Sequence, residues 1–149
     1  MRRILMLIVV LAAVAATPMP ASASDGTIPA SAANHCPESG KFSSLLSAQP
    51  RNGRAVITST LNYSFKGCAD SDPGIMHGGT IRCVRRNNSV FTRTLTDIKK
   101  VSVGSGTSVL TASYRLRRIK SCTAEFGYAI GIGNRLASDN RQATVRSGH

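Results

Sequence analysis

The chain is expected to be all-β, an antiparallel β-sandwich or small barrel stabilised by two disulfides. Three observations lead there. Apolar and polar residues alternate over several runs of strand length, as half-buried antiparallel strands require. Clusters of Gly, Pro, Asn and Asp break these runs at short intervals. No amphipathic helix of ordinary length appears after the first 24 residues.

The elements follow in chain order. Residues 1–24 read as a signal peptide: Met1-Arg2-Arg3 is cationic, Ile4 to Ala16 is apolar, and Ala21-Ser22-Ala23 offers the small residues a signal peptidase accepts. Cleavage is expected after Ala23 or Ser24. The apolar run is shorter than the roughly 20 residues a spanning helix needs, and no second apolar stretch of spanning length follows, so no stable membrane insertion is expected after cleavage. Residues 25–35, with three Ala and small or turn-forming Gly, Pro and Ser among them, read as a flexible lead-in. Residues 36–146 then form a single β domain.

Lys41 to Ala48 is patterned weakly, as a short helix or a poor strand. Arg54 to Lys66 is the clearest strand, with Ala55, Ile57, Leu61, Tyr63 and Phe65 on one face. Gly67 to Gly79 holds turn formers and reads as a loop. Thr80–Arg86 and Val90–Leu95 form a hairpin around Asn87-Asn88, since asparagine tolerates left-handed backbone. Val101 to Val103 is a candidate short strand and Gly104-Ser105-Gly106 a turn. Thr107 to Arg118 alternates again, with Leu110, Ala112, Tyr114 and Leu116 on one side. After a bend, Cys122, Ala124, Phe126, Tyr128, Ile130 and Ile132 share a face. The polar tail after Gly133 carries at most a short strand near Ala143–Val145. The sandwich is loosely immunoglobulin-like, since the chain has no tryptophan to serve as that fold's core residue.

The four cysteines, Cys36, Cys68, Cys83 and Cys122, make an even count in an exported chain and are expected to form two disulfides. Cys36–Cys68 with Cys83–Cys122 is the preferred pairing; Cys68–Cys83 with Cys36–Cys122 is the alternative. Their spacing matches no zinc pattern, and neither metal nor cofactor is expected.

Catalytic candidates are sparse. His35 and His149 lie near the ends of the mature chain. His77 falls in the expected loop with Asp70 and Asp72, where a solvated histidine is the plain reading. Asp70-Ser71-Asp72-Pro73-Gly74 lacks the distal glutamate of a calcium loop. Glu125 with Arg115 or Arg117 mimics two of the three groups of a small ribonuclease, without the histidine. Asn62-Tyr63-Ser64 and Asn87-Asn88-Ser89 match the N-glycosylation pattern.

Charge is the stronger signal. The formal net charge is +12, and removing Arg2 and Arg3 with the signal lowers it to +10. Most of the excess is arginine, whose planar fork pairs with oxyanions. Arg82, Arg85, Arg86 and Arg93 fall on the hairpin; Arg115, Arg117, Arg118 and Lys120 on the later strand and its bend. As neighbours these would make one arginine-lined face. The expected function is therefore a secreted (extracellular or wall-associated), non-enzymatic binding or structural domain. Its partner would be an anionic polymer, such as a cell-wall polymer, polysaccharide or nucleic acid, or an acidic protein surface. The alternatives are a protease-inhibitor-like protein module, with Arg85 beside Cys83, and a small secreted hydrolase or nuclease.

Overall fold

The computed structural model describes residues 22–28, 39–66, 74–100, 104–132 and 135–148. They form eight strands: β1 (Ser22–Ile28), β2 (Ser39–Arg51), β3 (Arg54–Lys66), β4 (Gly74–Arg85), β5 (Val90–Lys100), β6 (Gly104–Arg115), β7 (Ile119–Ile132) and β8 (Arg135–Arg146). A single 3₁₀ turn, Leu116–Arg118, separates β6 from β7. Two four-stranded sheets result, ordered β1-β2-β3-β6 and β5-β4-β7-β8, and all neighbours are antiparallel. The chain changes sheet between β3 and β4, between β5 and β6, and between β6 and β7. The all-β sandwich is thus the architecture.

Period-two alternation explains the packing. On β3, Ala55, Ile57, Leu61 and Phe65 are buried; on β7, Cys122, Ala124, Phe126, Tyr128 and Ile130 are buried. These faces meet between the sheets and contribute to both apolar clusters. One cluster runs through Leu46, Ile57, Ile81 and Phe126; the other holds Leu61, Phe65, Ile75, Tyr128 and Ile130. Each large side chain taken out of water contributes roughly 1.5–3 kcal/mol.

Cys83 and Cys122 lie directly opposite in the β4–β7 register and are disulfide-bonded, with Cα atoms 4.0 Å apart. Both are fully buried. The preferred pairing is correct for this bridge, and the alternative pairing is excluded. One disulfide, not two, occurs among the described residues; Cys36 and Cys68 lie outside them. The bridge joins neighbouring strands of one sheet and does not span the two sheets.

Several sequence expectations need correction. Lys41–Ala48 is neither helix nor poor strand but the middle of β2, pinned between β1 and β3. Gly74–Gly79 is not loop but the start of β4, which carries His77, Gly78 and Gly79 in paired positions; residues 67–73 of the expected loop lie outside the described residues. Gly104-Ser105-Gly106 is not a turn but the start of β6, where the Tyr63 ring lies over Gly106. Leu116, Arg117 and Arg118 are outside the strand they were assigned to. The tail forms a full strand, β8, of 12 residues. Strand β1 takes in Asp25–Ile28, the first part of the expected lead-in, and the expected cleavage point at Ala23 or Ser24. The candidate strand Val101–Val103, the aspartates Asp70 and Asp72, and His35 and His149 lie outside the described residues.

Gly79 sits on β4 opposite Phe126 of β7, where the backbone of β7 fills the space a side chain would need. A Cβ added there would run into the Glu125 carbonyl and the Phe126 backbone and ring, whereas one added at Gly74 meets nothing within 4 Å. Gly79→Ala should therefore lower the urea midpoint sharply or abolish folding, while Gly74→Ala should leave it unchanged or slightly raised. Equal midpoints for the two variants would contradict this packing.

Candidate functional site

Two polar features stand out, one inside the sandwich and one at its end. The inner one centres on His77, which is 1% exposed on the inward face of β4 and is not a solvated loop residue. Its Nε2 lies 2.8 Å from the Ser59 hydroxyl of β3, and its Nδ1 lies 2.9 Å from the Ser108 hydroxyl of β6. Ser108 donates to Asp97 Oδ2 of β5 at 2.5 Å. With that proton committed, Ser108 must accept from Nδ1–H, which leaves Nε2 to accept from Ser59. One donor chain therefore runs Ser59, His77, Ser108, Asp97 and links β3, β4, β6 and β5. Lys99 Nζ, 3.1 Å from Asp97 Oδ2, holds its outer end.

The order of groups suggests a relay to a nucleophile, but Ser59 is 4% exposed. The cavity beside it, which Arg141 also lines, has a volume of about 10 Å³, the size of one water. That space cannot admit a substrate to Ser59. Glu125 is no part of it either. It pairs with Thr80 on the outer face of the sheet and accepts from Asn140 Nδ2 at 2.7 Å. The chain of hydroxyls instead satisfies a buried imidazole, whose polar atoms would otherwise destabilise the core.

The second feature is built by turns. Asn52 (φ 49°) and Gly53 (φ 70°) make a two-residue hairpin turn of the Asn-Gly kind and set Arg51 opposite Arg54. Asn88 (φ 65°) closes the β4–β5 turn, where Asn88 N–H donates to the Arg85 carbonyl at 3.0 Å. These turns are tied to the β6–β7 connection. Leu116 N–H donates to the Gly53 carbonyl at 3.0 Å, and Arg86 N–H to the Arg118 carbonyl at 3.2 Å. Lys120 Nζ donates to Asn88 Oδ1 at 2.5 Å. Ser147 N–H donates to the Lys120 carbonyl at 2.9 Å and brings the end of β8 alongside.

These ties gather nine basic residues at one end of the sandwich: Arg51, Arg54, Arg85, Arg86, Arg115, Arg117, Arg118, Lys120 and Arg146. All nine are exposed. No Asp or Glu occurs in the turns there. The ion pairs Lys99–Asp97 and Arg141–Asp139 lie elsewhere, and none of the nine meets a carboxylate among the described residues. Of the sequence-based set, Arg85, Arg86, Arg115, Arg117, Arg118 and Lys120 belong to this pole. Arg82 projects from the outer face beside Thr92 and Thr123, and Arg93 lies opposite Ile81 on the edge strand β5. Sequence reasoning missed Arg51, Arg54 and Arg146. The Asn52-Gly53 turn was the available signal for the first two.

A cleft of about 380 Å³ opens within the pole, between edge strands β5 and β6. Arg54, Ser113, Tyr114 and Arg115 line one lip; Arg85, Phe91, Arg118 and Ile119 line the other. Arg54 and Arg115 are directly opposed cross-strand neighbours, a destabilising placement for like charges. Arg54 turns aside, donating from Nε to the Ser113 hydroxyl at 3.0 Å. The Arg85 guanidinium carbon stands 4.8 Å from the centre of the Phe91 ring, and Phe91 packs edge-on against Tyr114 at 5.3 Å. The Tyr114 hydroxyl is buried without a hydrogen-bond partner, alone in this among buried side-chain atoms of the described residues. Such an orphan costs about 1–3 kcal/mol.

The inner network generates a pH dependence. Burial pushes the His77 imidazole below its ordinary value; the Asp97 charge opposes this and the Lys99 charge adds to it. The unfolded chain therefore binds a proton that the folded one refuses. This part of the stability is complete above the ordinary value of about 6.5 and drains away as pH falls below it. Asp97 is held below the carboxylate range chiefly by the Ser108 hydroxyl and then by Lys99, so its contribution persists to more acidic pH. The urea midpoint should fall between pH 7 and pH 5, and His77→Gln should flatten that fall. An unchanged slope in the variant would remove His77 as its source.

No family model matches the chain, and no curated protein matches it. Among solved structures it is similar to one described as the ApaA protein from Bordetella pertussis, at 11% identity and a TM-score of 0.36, covering 85% of this chain and 94% of that one. That likeness is too distant to carry an argument.

Proposed function

We propose that the protein is a secreted, non-enzymatic binding domain whose cationic pole takes an anionic polymer. The observation behind this reading is the gathering of nine basic side chains, none paired with a carboxylate among the described residues. Folding brings like charges together only at a cost, and a polyanion offsets that cost when it binds. Arginine predominates, which suits oxyanion partners. The N-terminal pattern supports export, and a disulfide suits an oxidising compartment. The three crossings between sheets fit an immunoglobulin-like reading of the sandwich, although the disulfide does not span the sheets as it does in antibody domains.

The inhibitor alternative has less support. Cys83, Val84 and Arg85 lie within β4, paired with β7, and do not form a protruding loop.

Binding should be electrostatic and therefore salt-sensitive. Titrated with linear polyphosphate, the protein should lose at least about tenfold in affinity between 50 and 200 mM NaCl, as polyanion binding by several cations does. Binding that ignores salt, or no binding at 50 mM, would overturn the reading.

A further inference from the structure

We infer that the cleft between β5 and β6 is a discrete site for a phosphodiester group, occupied by one repeat unit of the partner. This rests on the anionic-polymer reading and adds a place and a chemical class to it. Two independent observations converge on the cleft. Arg54 and Arg115 oppose each other across a strand pair, and an oxyanion between them would turn repulsion into attraction. The volume of about 380 Å³ exceeds that of a lone ion and falls within the range of small organic ligands.

The arrangement favours phosphate over carboxylate. A carboxylate offers two acceptor oxygens in one plane. Here the donors come from both sheets and the turn that joins them, with Arg54, Ser113 and Arg115 on the first sheet, Arg85 on the second and Arg118 on the connection. A tetrahedral oxyanion presents oxygens to both lips at once. The Phe91 ring, with Arg85 stacked over it, supplies an apolar wall for the organic part of the repeat. Phosphate ester oxygens are also better hydrogen-bond acceptors than those of sulfate esters, so guanidinium groups should discriminate between them.

The test compares arginines that are equal in charge but differ in place. Arg115→Gln and Arg118→Gln line the cleft; Arg86→Gln and Arg117→Gln lie on the same pole outside it. Affinities are measured for a glycerol phosphate oligomer, an oligothymidylate of equal phosphate number, and heparin, with a thermal melt of each variant as the check on folding. The two cleft variants should lose about tenfold for both phosphodiesters, the other two less than about threefold, and heparin should show no such contrast. Preference for one phosphodiester over the other identifies the source, wall polymer or nucleic acid, with the site unchanged. Equal losses for all four variants, or the same contrast with heparin, would overturn the phosphodiester cleft and leave the anionic-polymer reading standing. Failure of the unaltered protein to bind any probe would remove both.

Discussion

The inward faces of β3 and β7 meet in the middle of the sandwich, and the other strands are positioned by that contact. Both strands contribute to both apolar clusters. A one-residue slip of either would turn every buried side chain outward. Register is thus set by the core, and register in turn places the ends of the strands. Arg51, Arg54 and Arg115 share one level of the first sheet because Ile57 and Ala112, a few residues away, share another. The cationic pole is in this sense a product of packing, even though no member of it is buried.

Polar groups inside the sandwich follow the same constraint. Ser59, His77 and Ser108 occupy inward positions that apolar residues would otherwise fill. They are tolerated because each nitrogen of the imidazole has one hydroxyl and the last hydroxyl has a carboxylate. That chain joins four strands from both sheets, near the seam between the apolar clusters.

How much of this could be read from the sequence depended on burial. β3 and the middle of β7 announced themselves because both combine apolar alternation with central positions in their sheets. β8 did not, because it is an edge strand whose inward positions include Asp139 and Arg141. With water on one side, such a strand needs little apolar patterning. His77 was misread because Gly74, Gly78 and Gly79 looked like turn residues. At Gly79 the glycine instead reflects the close passage of β7. The arginine cluster was legible as composition, and six of its nine members were among the basic residues singled out from the sequence. Arg82 and Arg93 were grouped with them because sequence adjacency cannot separate a strand's end from its flank.

The placement of charge has a consequence for motion before contact. The carboxylates Asp97, Glu125 and Asp139 lie along the strands, away from the turns that carry the nine cations. Lys41, Lys66, Lys99, Lys100 and Arg135 lie at the opposite end of the strands, so positive charge sits at both ends and is denser at the arginine end. Near a negatively charged surface, that imbalance favours approach by the arginine end, within about a Debye length of 8–10 Å at ordinary ionic strength.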